Sequence, residues 1–137
     1  MVDNTGSNER RLLKKYMARY YQGKQRQEIL RNRLAELRGQ GREAEEREIH
    51  CIEQRFREQV KAAEASALEI MDMIELLPEA STERIILELR HIDCKPWQEI
   101  RTAVHLTRSP CYEYYKRGLD ELLNTAAVRQ ALGLAPR

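Results

Sequence analysis

The sequence predicts an all-α protein: a long N-terminal antiparallel helical hairpin of coiled-coil character, followed by a three-helix helix-turn-helix unit. Three observations predict it. Leu, Ile, Ala, Glu and Arg dominate a chain of 137 residues in which 34% are charged and 6% aromatic, a composition suited to helices with narrow apolar seams. β-branched residues are sparse and nowhere alternate over a useful length, which argues against strands. Apolar residues recur instead at alternating steps of three and four, the rhythm of a helix that buries one stripe.

Residues 1–7 are polar and are expected to form a disordered tail. From Asn8 to about Leu37 the seam is Tyr16, Tyr20, Gly23, Gln27, Leu30, Leu34 and Leu37. This is a heptad rhythm, weakened at Gly23 and Gln27. Gly39-Gln40-Gly41 supplies the permissive backbone that a helix end and a reversal need. A second helix is expected from about Arg42 to Leu77, with the seam Ile49, Ile52, Phe56, Gln59, Ala63, Ser66, Ile70, Met73 and Leu77. It would span roughly 50 Å, and Pro78 stops it. Residues 8–78 thus read as a hairpin that buries little by itself, so a second subunit is expected to complete its seam.

Residues 79–124 read as the helix-turn-helix unit. Ser81 or Thr82 caps its first helix, with Glu83 in the first turn and Ile85, Ile86, Leu89 and Ile92 as the apolar face. Asp93-Cys94-Lys95 turns the chain. Pro96 suits the first position of the next helix, where its missing N–H costs nothing. Trp97, Ile100 and Val104 point inward, with Trp97 as the largest core residue. The turn is Val104-His105-Leu106. Thr107 is the preferred cap of the last helix, whose inward positions are Cys111, Tyr114, Gly118, Leu119 and Leu122. Arg108, Ser109, Tyr112, Glu113, Lys116 and Arg117 are left outward. Arg can bind guanine bidentately and Glu can accept from cytosine; hydroxyls, Lys and Arg can hold phosphates. These six residues are the candidate DNA-binding set. Residues 125–137 are read as a C-terminal tail.

Charge is segregated. Residues 9–42 hold eleven basic and three acidic side chains, residues 43–93 six basic and fourteen acidic, and residues 94–117 five basic and two acidic. The first two segments suit one another, and the third suits an outside anionic partner. Arg10, Arg11, Lys14, Lys15 and Arg19 are candidates for extra phosphate contacts.

Cys51, Cys94 and Cys111 are scattered, and no metal-ligand spacing joins them to His50, His91 or His105. No metal, cofactor or disulfide is expected. The polar N-terminus has no apolar signal core, and no run approaches a membrane span, so a cytoplasmic protein is expected. Neither a phosphate loop, a nucleophile elbow nor an HExxH motif is present, and the carboxylates fall on solvated faces, so an enzyme is not expected.

Several spaced elements carry a family resemblance: Leu76-Leu77-Pro78, Ile86-Leu-Glu-Leu-Arg-His-Ile92, Trp97-Gln-Glu-Ile100, Leu106-Thr-Arg-Ser109, Tyr112 and Gly118-Leu-Asp-Glu-Leu122. In this order they resemble the phage late-transcription regulators of the RinA/ArpU type, which are similar to region 4 of bacterial sigma factors. The likeness is best over residues 70–123. It implies a transcriptional activator of phage late or packaging genes that binds promoter DNA, with RNA polymerase as a further candidate partner, in a bacterial host cell. By position it implies that Arg108, Ser109, Tyr112 and Glu113 read bases while Lys116 and Arg117 hold phosphates. Two residues depart from the pattern. Arg101 stands where the family has a small residue, and His105 where it has a turn glycine, a position that favours positive φ.

The expected function is therefore that of a sequence-specific DNA-binding regulator, acting as a dimer or tetramer through the N-terminal helices. The alternatives are a helical adaptor or anti-repressor with a degenerate helix-turn-helix, and a small-terminase-like DNA-packaging protein.

Overall fold

The computed structural model describes residues 5–40 and 46–137. Every element among them is a helix: α1 Thr5–Met17, α2 Arg19–Gln40, α3 Glu46–Ile74, α4 Thr82–His91, α5 Trp97–Val104, α6 Arg108–Leu123 and α7 Ala126–Ala131. The protein is all-α, as its composition predicts. Among the described residues no helix is long and apolar enough to cross a membrane.

The chain divides into two compact units that do not follow the expected boundary near residue 78. Met1–Ala18 and Leu68–Arg137 form one, and Arg19–Ala67 the other. The expected helix 8–37 is interrupted at Ala18, whose N–H still donates to the Lys14 carbonyl at 2.9 Å. Burial explains why α1 leaves the expected seam. Glu9, Leu13 and Met17, at steps of four, form a stripe distinct from the Tyr16–Tyr20 line, and this stripe is buried. Residues 5–7, expected in a disordered tail, are helical. The reversal expected at Gly41 and the helix start at Arg42 lie outside the described residues.

In the first unit α6 is the central helix, in contact with α1, α4, α5 and α7. Its buried face runs through Cys111, Tyr115, Gly118, Leu119 and Leu122. Tyr115 therefore occupies the place expected of Tyr114: it lies four residues beyond Cys111 and four before Leu119, on one helical stripe. Tyr114 is half-buried one step round, under the Arg117 guanidinium. Leu13, Ile86, Leu87 and Ile100, from helices that contact α6, are wholly excluded from solvent, as are Ile74 and Leu122. Each contributes roughly 1.5–3 kcal/mol by leaving water. Gly118 permits the close approach of α4, because a Cβ there would stand 3.1 Å from both Glu83 Cβ and Leu87 Cδ1.

Ser81 caps α4 by accepting from the Arg84 N–H at 3.2 Å. The buried face of α4 is Ile86, Leu87 and His91, whereas Ile85 is 41% exposed. Pro96 is the N-cap of α5, so the helix starts at Trp97, one residue later than expected, a difference within the ordinary latitude of helix ends. Residues 125–137, expected as a tail, carry α7. Thr125 caps it, accepting from the Val128 N–H at 3.4 Å. Its Arg129 is buried and donates to Glu9 Oε2 at 2.6 Å and to the Leu123 carbonyl at 3.1 Å. Arg137 adds a contact to Glu9 Oε1 at 3.2 Å. Hydrogen bonds from Arg129 hold the Glu9 carboxyl below its ordinary range.

In the second unit α2 and the part of α3 up to Ala67 run antiparallel. Gly23 lies opposite Ala63, with 3.1 Å left for a Cβ. The Arg31 guanidinium lies 5.6 Å from the Phe56 ring centroid, and Arg38 pairs with Glu53 at 2.8 Å. Gly23 is thus a point of close packing, not the weak point its composition predicts. Among the described residues, Leu34 and Ala63 are the buried hydrophobic residues of this unit.

Candidate nucleic-acid interface

The connection between α5 and α6 is set by two local devices. His105 takes the left-handed conformation, φ 57 and ψ 42, at the position where a positive φ was expected. Its N–H donates to the Thr102 carbonyl at 3.3 Å and the Leu106 N–H to the Arg101 carbonyl at 3.0 Å. This pair of bonds is the Schellman closure of a helix end. Histidine pays a steric penalty there that glycine would not, of order 1–2 kcal/mol. Thr107 then stands at the N-cap of α6, but its side chain makes no capping hydrogen bond.

Behind α6, the Tyr115 ring anchors α4 and α5. His91 Nε2 and the Tyr115 hydroxyl are 2.8 Å apart in the interior. Burial and the nearby charges of Arg90 and Lys14 push His91 down to about 4, and burial pushes the Tyr115 hydroxyl up. The Trp97 ring meets Tyr115 edge-on, with centroids 4.8 Å apart. The Arg90 guanidinium lies 4.9 Å from the Trp97 ring centroid. Trp97 is only half-buried. It is a wall between core and surface and not the largest core residue that was expected.

On the outer side, α5 and α6 enclose an open groove of about 670 Å³, lined by Trp97, Arg101, Arg108, Ser109, Cys111, Tyr112 and Glu113. Four of the six candidate residues, Arg108, Ser109, Tyr112 and Glu113, are brought together here, all exposed. Lys116 is half-buried further along the helix. Arg117 is engaged within the unit, pairing with Glu83 at 3.4 Å and lying 5.1 Å from the Tyr114 ring centroid. Cys111 is 1% exposed and its thiol is held up by burial, consistent with a small core residue.

Two cations at this surface were not part of the expected DNA-reading face. Lys14 of α1 lies 5.6 Å from the ring centroids of both Tyr112 and Tyr115. Charge alone nominated Lys14, but its place beside Tyr112 depends on α1 packing against α6, which the heptad reading does not contain. Arg101 lies along the groove, with its Nε buried and lacking an acceptor among the described residues. Its signal in the sequence was a bulky cation at a position expected to be small. Among the described residues no cluster of His, Cys, Asp and Glu could hold a metal ion.

No family model, curated protein or solved structure matches the chain.

Proposed function

We propose that the protein is a non-catalytic, sequence-specific DNA-binding transcription regulator whose α4–α6 segment acts as a helix-turn-helix with α6 as the reading helix. The observation that carries this reading is the groove-side face of α6. Arg108, Ser109, Tyr112 and Glu113 stand exposed together on a helix whose opposite face is locked into the core. Such a helix can enter the major groove as a rigid body, with its first two turns presenting hydrogen-bonding side chains to base edges. Lys116, and Arg117 when released from Glu83, would hold phosphates.

In the same reading, α2 and α3 form a helical hairpin that joins copies of the chain. The family resemblance extends the proposal to an activator of phage late or packaging genes, at work in the cytoplasm of a bacterial host, with RNA polymerase as a further partner. Selection of bound duplexes from a randomised library, followed by a salt titration, tests the core of the proposal. A single enriched motif, bound with an affinity that falls steeply as salt displaces released counterions, supports it. No retention of any duplex at low salt overturns it and favours a protein-interaction adaptor.

A further inference from the structure

We propose that Arg101 clamps a backbone phosphate of the bound DNA in the α5–α6 groove, next to the base pair that Arg108 reads. The inference rests on α6 being the reading helix, and it adds a contact from the preceding helix.

The cations of this unit differ in how they are satisfied. Arg10 pairs with Asp120, Arg84 with Glu88, Arg117 with Glu83 and Arg129 with Glu9. Arg101 and Arg108 make no ion pair among the described residues. They line one groove, where Glu113 supplies a single negative charge against their two positive ones. Arg108 is exposed to solvent. Arg101 is half-buried, and its Nε is shut away from solvent with no acceptor among the described residues. A partly desolvated guanidinium without a counter-charge is unfavourable until an anion arrives.

The position selects the kind of anion. In a docked helix-turn-helix the helix before the reading helix crosses the phosphate backbone, and Arg101 is in the last turn of that helix. A guanidinium fork matches phosphate oxygens in a charge-assisted pair. A bulky cation here would be intolerable if the groove had to close tightly, and the open groove gives it room.

The test uses the full chain and its selected duplex, read by fluorescence anisotropy. Arg101→Gln is expected to weaken binding roughly tenfold, equally for matched and mismatched sequences, and to lower the salt slope by about 1. Replacing phosphates one at a time by neutral methylphosphonate should reveal one position, beside the Arg108 base pair, that costs the wild type affinity and costs Arg101→Gln nothing. An unchanged salt slope, or a loss confined to one base pair, overturns the clamp while leaving the reading by α6 intact. Failure of the wild type to bind any duplex removes both. If Arg101→Gln does not fold, Arg101→Lys decides on the same series. A surviving penalty at that phosphate supports the clamp, and no penalty at any phosphate flanking the base pair overturns it.

Discussion

The unit built around α6 and the unit formed by α2 with the first part of α3 solve the problem of burial in opposite ways. The first gathers five helices and the end of a sixth, and among the described residues the largest fully buried side chains all belong to it. The second lays two amphipathic stretches side by side and buries Leu34, Ala63 and Gly23. Helices draw most of their stability from packing an apolar face against a neighbour, and Ile29 of this unit stays 51% exposed. A rigid platform suits presentation of a reading helix. Under the proposed function, a thin seam would suit association with another copy, which would supply the avidity that a modestly charged reading helix needs.

The largest expected effect sharpens this contrast. Leu119→Ala, at a site with no solvent exposure, should cost about 2–5 kcal/mol in chemical denaturation. Leu34→Ala should leave that transition nearly in place while lowering the mass seen by sedimentation. Equal losses of stability from both changes would mean that the two units unfold as one.

A second effect belongs to the first unit alone. His91 is lowered from 6.5 to about 4, so between those values the unfolded chain holds a proton that the folded chain does not. Stability is therefore complete above pH 6.5 and falls by roughly 3 kcal/mol as pH drops to 4. His91→Gln should flatten this slope. Glu9, lowered by Arg129, acts below that window: its contribution is present above pH 4.5 and is lost as pH falls through its lowered value. Hydrogen exchange of Glu9→Gln at neutral pH should show faster exchange in both α1 and α7.

The fold class was legible in the sequence because helical periodicity and missing strand signals are local properties. So were a cap at Ser81 or Thr82 and the outward set Arg108, Ser109, Tyr112 and Glu113, whereas the positive φ at His105 was expected only from the glycine that the resembled family has there. The unit boundary was not legible. The Tyr16–Tyr20 line continues the heptad without a break, and nothing local reveals that Glu9, Leu13 and Met17 form the stripe that packs. Arg129 reads as one charge in a polar tail until Glu9, 120 residues away, is brought to it. Tyr114 and Tyr115 are adjacent and chemically identical, so only the register of the whole helix chooses between them.

Smaller effects concern the interface. Arg108→Ala should cost about 1–3 kcal/mol at one base position and relax specificity there, whereas Lys116→Ala should weaken all sequences alike. Arg117→Ala should cost less than Lys116→Ala, since Arg117 is already paired with Glu83. Smallest of all, His105→Gly should raise the melting temperature slightly: relief of the left-handed residue, offset by roughly 0.5–1 kcal/mol of backbone entropy that glycine loses on folding, leaves a net gain of up to about 1 kcal/mol.

The most direct measurement of the central claim is selection of duplexes from a randomised library by the wild type and by Arg108→Ala in parallel. The account predicts one motif for the wild type and the same motif with a single degenerate position for the variant. Identical motifs, or no enriched motif from the wild type, would contradict it.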